Sequence, residues 1–176
     1  MRTSFLSIIV ILLLCFSCKQ RAERERPLTV QEKKKMLQEV NKALVNKDKE
    51  LIEAYIKENN LSGMKDNGSG LYAMIWGDSL GVKPVEGSLV LLDYTVTLLD
   101  GTVCYTSENK KPKEFKVGFG GAEAGLDMAV RMMSEGQKGK FILPPHLAHG
   151  LLGDNNKIPP RSIIVYDVHL LNVIGK

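Results

Sequence analysis

Two strand-like runs joined by a long, proline-rich loop constrain this chain most. The runs cover residues 138–143 and 162–173, and the 18-residue loop between them (144–161) holds four prolines. The first run is too short for a typical helix. It stops against Pro144 and Pro145, which supply no backbone N–H to a sheet. The second run is rich in β-branched residues and alternates. Ile164, Tyr166, Val168 and Leu170 fall on one side of a pleat; Ile163, Val165, Asp167, His169 and Leu171 fall on the other. The former side is wholly apolar or aromatic, so it is expected to face a core. A loop this long inside a compact domain is usually functional or disordered. Its prolines, with Leu147, Leu151, Leu152 and Ile158, argue for an ordered flap.

The chain opens differently. Arg2, an apolar run over 5–16 broken by Ser7, and then Ser17 have the layout of a secretory signal peptide, expected over 1–17. The run is shorter than the ~20 residues of a membrane-spanning helix. Cys15-Phe16-Ser17-Cys18 resembles a bacterial lipobox, which implies cleavage before Cys18, lipid on its thiol and a membrane as partner. Two or more acyl chains on one cysteine anchor a protein stably. An ordinary signal peptide or an uncleaved anchor is the alternative. Residues 18–27 alternate in charge and read as a lipidated tether.

Thr29-Val-Gln-Glu32 has capping-box spacing and opens a helix, along which Leu37, Val40 and Leu44 form one apolar stripe. Asn46-Lys47-Asp48 reads as a break, with Asp48 capping a second helix whose apolar face is Leu51, Ile52, Tyr55 and Ile56. Two helices are therefore expected over 28–64. They either pack on the domain or make a homodimer or partner-binding appendage through 29–60. Segment 65–81 reads as a polar turn, a strand over 71–76 and a loop. A long strand over 89–99 meets a hairpin signal at Asp100–Gly101, and the chain returns over 102–106. A short strand follows at 114–117. A helix over 125–134 points Leu126, Val130 and Met133 inward and stops at Gly136.

Several chemistries are excluded. Net charge is +4, evenly spread, with no basic and aromatic stripe, so no nucleic-acid partner is expected. His146, His149 and His169 lack metal-ligand spacing, and the chain has neither a nucleophile elbow nor a phosphate-cradling loop. No cofactor or metal is expected. Of the three cysteines, Cys104 stands alone in a strand and reads as a small core residue.

What remains is carried by motif. Y-T-V-T-L-L-D-G-T runs from Tyr94, and Gly125–Leu126 opens the helix. G-Q-K-G-K-F-I-L-P runs from Gly136, A-H-G-L-L-G from Ala148, and I-P-P followed by Y-D-V-H-L-L from Ile158. On these motifs, residues 82–176 resemble an FK506-binding-protein (FKBP) type peptidyl-prolyl isomerase. The resemblance implies an α+β fold: a curved antiparallel sheet wrapped on one helix, here with an N-terminal helical extension. With the leader, the chain is similar to lipoproteins associated with gliding motility in Bacteroidetes-like bacteria. That implies the cell envelope, on the periplasmic side of the outer membrane.

The resemblance also assigns a site. The family's first-strand tyrosine falls on Tyr94, its last-strand aromatic on Tyr166 and its flap isoleucine on Ile158. The pocket-floor aromatic is Leu126. The flap tyrosine is His149, whose imidazole has an N–H to offer a substrate carbonyl. The family's Phe-Asp pair is Cys104–Tyr105, with Tyr105 refilling part of the space. Its Val-Ile pair, whose backbone N–H binds substrate, is Ala122–Glu123, which puts a carboxylate where an apolar side chain lines the rim. Two functions follow as expectations. One is prolyl isomerisation of proline-containing exported polypeptides, weakened by these departures. The other is a non-catalytic peptide-binding chaperone or assembly lipoprotein on the same fold.

Overall fold

The computed structural model describes residues 26–108 and 110–175. The leader 1–17, the lipid site Cys18 and most of the tether lie outside the described residues. The chain divides into two compact units, Met1–Glu39 and Val40–Lys176.

In the first unit, the capping box closes at the start of helix α1 (Val30–Glu58). The Thr29 backbone N–H donates to Glu32 Oε2 (2.9 Å), and the Glu32 N–H returns to Thr29 Oγ1 (3.3 Å). Val30, Met36 and Leu37 are exposed.

The helix does not break at Asn46-Lys47-Asp48, so the expected second helix is a continuation of α1. Helix propensity costs at Asn and Asp are only a few tenths of a kcal/mol each. Here both Asp48 and Ile52 are buried, and their contacts outweigh that cost. Asp48 is not a cap; its carboxylate accepts from Arg161 Nη2 at 2.7 and 3.0 Å. Asn60, at φ 54°, turns the chain out of the helix.

Seven strands follow: β1 (Lys65–Asp66), β2 (Tyr72–Trp76), β3 (Leu89–Leu98), β4 (Val103–Thr106), β5 (Lys113–Lys116), β6 (Lys138–Leu143) and β7 (Ile164–Ile174). Their order is β1-β2-β6-β7-β3-β4, with β5 also on β3. Every pair is antiparallel. β1 is an addition to the sequence reading, which took 65–70 as a turn. Helix α2 (Ala124–Met132) lies between β5 and β6 in the chain.

The side of β7 expected to be apolar is indeed buried. Tyr166, Val168 and Leu170 join Leu126, Ala129 and Val130 of α2 in the main core. The opposite face is half covered: Ile163 and Val165 pack with Ile142, Tyr72 and Ile52, flanked by Tyr55 and Ile56. The second half of α1 therefore packs on the sheet. Gly125 sets how closely α2 approaches β6. A Cβ there would stand 2.6 Å from Leu143 Cδ2 and 2.8 Å from the Leu147 carbonyl oxygen.

Candidate active site

Strand register brings the two assigned tyrosines together. Tyr94 faces Val168 and Val96 faces Tyr166, so the tyrosines are diagonal neighbours on one face. Their rings lie 6.0 Å apart, tilted by 41°, in the range aromatic pairs favour. Leu126, from the first turn of α2, and Ile158, from the flap, are buried in the same cluster as Tyr166. Tyr94, Tyr105, Ala122 and Leu147 pack against it. Five assigned residues thus share one apolar cluster.

The flap is tied down by Asp154, which the sequence reading missed. Its Oδ1 accepts from the Ile158 and Asn156 amides (2.8 and 2.9 Å), and its own N–H donates to the Ile158 carbonyl (3.1 Å). The Tyr105 hydroxyl donates to Oδ2 of the same carboxylate. Beside it, the Cys104 thiol donates to the Lys157 carbonyl (3.5 Å). The Cys104–Tyr105 pair therefore fastens β4 to the flap rather than merely refilling a wall. Gly153 makes the turn at φ 72°, where a Cβ would meet the Ile158 carbonyl oxygen at 2.2 Å. The signal available for Asp154 was Gly153-Asp154-Asn155-Asn156, a run suited to side-chain-to-backbone turns. Phe115 on β5 is a further buried member of the core.

Glu123 makes a contact that the sequence reading does not contain. It occupies the N-cap position of α2, yet its side chain makes no cap hydrogen bond. Its carboxylate turns toward Tyr166 and His149 instead. The Tyr166 hydroxyl donates to Oε2 at 3.0 Å. His149 Nε2 stands 3.0 Å from Oε1, close enough for an ion pair but without hydrogen-bond alignment. His149, assigned to meet a substrate carbonyl, faces Glu123 in this arrangement.

The titrations follow from these contacts. Burial, then the nearby Glu123 carboxylate, push the Tyr166 phenol far up. Tyr94 is raised for the same two reasons in the same order. Tyr105 is raised chiefly by its bond to Asp154. Burial alone would raise Asp154, but the Tyr105 hydroxyl, the Ile158 and Asn156 amides and His149 outweigh it and hold its carboxyl at about 2. Both pocket phenols therefore stay protonated donors at neutral pH, and Asp154 stays charged. Burial raises the Cys104 thiol, which leaves it a poor nucleophile.

A buried apolar cluster with phenolic donors beneath a pinned flap, on an antiparallel sheet packed against one helix, defines the class of fold and site as an α+β domain. A family model for FKBP-type peptidyl-prolyl cis-trans isomerase matches residues 81–171. FK506-binding protein 2 of Dictyostelium discoideum is 38% identical over 97 residues, covering 54% of this chain and 73% of its own length. A probable FKBP-type peptidyl-prolyl cis-trans isomerase FkpA of Neisseria meningitidis is 31% identical over 157 residues; these are 88% of this chain but 57% of that protein. The crystal structure of FkpA from Escherichia coli superposes with a TM-score of 0.64 at 28% identity, covering 84% of this chain and 74% of that one. The chain belongs to the FKBP-type peptidyl-prolyl cis–trans isomerase family, and its enzyme class is that of the isomerases.

Proposed function

We propose that this chain is an envelope lipoprotein that accelerates cis–trans exchange at Xaa-Pro bonds of exported polypeptides. The observation that carries the reading is the convergence of Tyr94, Leu126, Ile158 and Tyr166 on one buried surface under a fastened flap. Prolyl isomerisation suits such a surface. The barrier is the ~18–20 kcal/mol of amide rotation, and uncatalysed exchange takes tens to hundreds of seconds. No proton need leave the substrate. A groove that grips the pyrrolidine ring and binds the twisted amide better than the planar one lowers the barrier by differential binding. The Glu123 backbone N–H has no protein acceptor among the described residues, which leaves it available to a substrate carbonyl.

The exchange test uses the full chain in detergent and a proline peptide observed by NMR. Exchange is expected to rise in proportion to protein, with shifts at the Glu123 amide on adding peptide. Amide shifts without exchange would favour the second reading, a peptide-binding chaperone or assembly module. That reading is supported by the Glu123 carboxylate, which already engages the Tyr166 hydroxyl.

The anchor in this proposal is lipid on Cys18, placing the domain on the periplasmic side of the outer membrane, with gliding motility one process it would serve. Cys18→Ser is expected to move the protein from the membrane to the soluble fraction and to abolish acyl labelling; unchanged fractionation would make the leader the anchor. The exposed apolar residues Met36, Leu37 and Val40 on α1 support a second copy or a client as the partner of residues 29–60.

A further inference from the structure

We infer that Glu123 is a specificity-determining residue, selecting polypeptides with a lysine or arginine beside the proline and rejecting those with an acidic residue there. The inference rests on the isomerase reading of the groove and concerns which proline sites it accepts.

The charge balance inside the groove carries it. Glu123 holds its carboxylate against the Tyr166 hydroxyl, and its side chain is only 14% exposed. Among the described residues no lysine or arginine pairs with it; beside the neutral phenols of Tyr166 and Tyr94, its one basic neighbour is His149, at 3.0 Å. His149 also stands in the field of Asp154, whose carboxylate is committed to Tyr105 and the flap amides. Among the described residues His149 is thus the one basic side chain within ion-pair distance of Glu123, and none lies within that distance of Asp154. Two lysines stand on the rim without pairing to either: Lys113 Nζ is 5.9 Å from the centre of the Tyr94 ring, and Lys157 Nζ is 5.5 Å from that of Tyr105. Lys157 is exposed and Lys113 half-buried, so water and salt screen them more than they screen Glu123.

Placement adds to charge. Glu123 is the position whose backbone N–H, by the family resemblance, binds substrate, and it has no acceptor among the described residues, so a peptide bonded there would bring the side chains beside its proline within reach of the carboxylate. A carboxylate at a helix N-terminus ordinarily gains by capping the free amides. This one forgoes the cap and lies against Tyr166 and His149 instead. An incoming ammonium or guanidinium would supply the counter-charge the protein does not, whereas an incoming carboxylate would meet a like charge in a poorly solvated place.

The test compares the full chain, in detergent, with Glu123→Gln, which keeps the shape and an acceptor for Tyr166 but removes the charge. The probes are Ala-Xaa-Pro-Phe and Ala-Leu-Pro-Xaa peptides with lysine, leucine or glutamate at Xaa. Exchange efficiency and affinity are both read by NMR. Wild-type protein is expected to favour lysine over glutamate by about tenfold, as charge complementarity at a partly buried site warrants. Glu123→Gln should bring the ratio within about twofold. A wild-type ratio near one, or an unchanged ratio in Glu123→Gln, overturns the inference. If no peptide is turned over but affinities keep the charge ratio and lose it in Glu123→Gln, the isomerase reading fails and charge selection stands. Turnover of all peptides at equal efficiency leaves the isomerase reading and removes this one. Neither binding nor turnover removes both.

Discussion

Replacing Tyr166 by alanine is expected to cost about 3–5 kcal/mol of stability and to abolish prolyl exchange. Tyr166 is 2% exposed near the start of β7, facing Phe141 of β6 and Val96 of β3 in register. Its ring is both a piece of the core and the partner of Tyr94 in the groove. Truncation therefore opens a cavity under the sheet and removes a wall of the site together. Domains of this size hold only about 5–15 kcal/mol in total, so the loss is a large share. Tyr166→Phe separates the two roles. The ring stays, but the mostly buried Glu123 carboxylate loses its hydroxyl donor, at a cost of about 1–3 kcal/mol. Urea unfolding at equal m-values reports the stability terms. Peptide exchange is compared at a temperature where each variant is folded. Wild-type exchange by folded Tyr166→Ala would move the site away from this ring.

Most of the sheet and its helix were legible because their signals are local. The alternation in β7, the Asp100–Gly101 turn and the Gly136 stop each need only a few neighbouring residues. The assigned site positions also come together, since strand register fixes Tyr94 against Tyr166. What the sequence hid were contacts between distant segments. Asp48 looks like a cap because asparagine and aspartate are weak helix formers. Its partner is 113 residues away, and that pairing keeps the helix whole. Tyr105 looked like wall filler, yet its hydroxyl seeks Asp154 on a flap 49 residues on. For Glu123 the sequence reading gives a place on the rim but no orientation. Position along the chain tells where it sits, but the choice between the α2 amides and the Tyr166 hydroxyl depends on which donor is less solvated.

Helix α1 belongs to the stability of the domain as much as to its start. Ile52 is 1% exposed between Tyr72, Ile142, Ile163 and Val165, so Ile52→Ala is expected to cost about 2–4 kcal/mol. Asp48, one turn earlier, holds Arg161 through both carboxylate oxygens. Arg161 sits at φ 57°, a conformation that costs a side-chain-bearing residue roughly 1–2 kcal/mol. It is kept there by the ion pair and by its own N–H donating to the Gly150 carbonyl (3.1 Å). That bond closes the base of the flap carrying Ile158. Losing a fully buried pair partner costs about 3–5 kcal/mol. Arg161 keeps 30% of its side chain in water, so Asp48→Ala should cost nearer 2 kcal/mol. The two variants are expected to differ in function. Ile52→Ala lowers the unfolding midpoint and leaves exchange per folded molecule unchanged, because its neighbours lie on the sheet face away from Tyr166. Asp48→Ala lowers both, because it frees the flap. Equal exchange in the two, at a temperature where both are folded, would mean that the Asp154 fastening holds the flap without help from the helix.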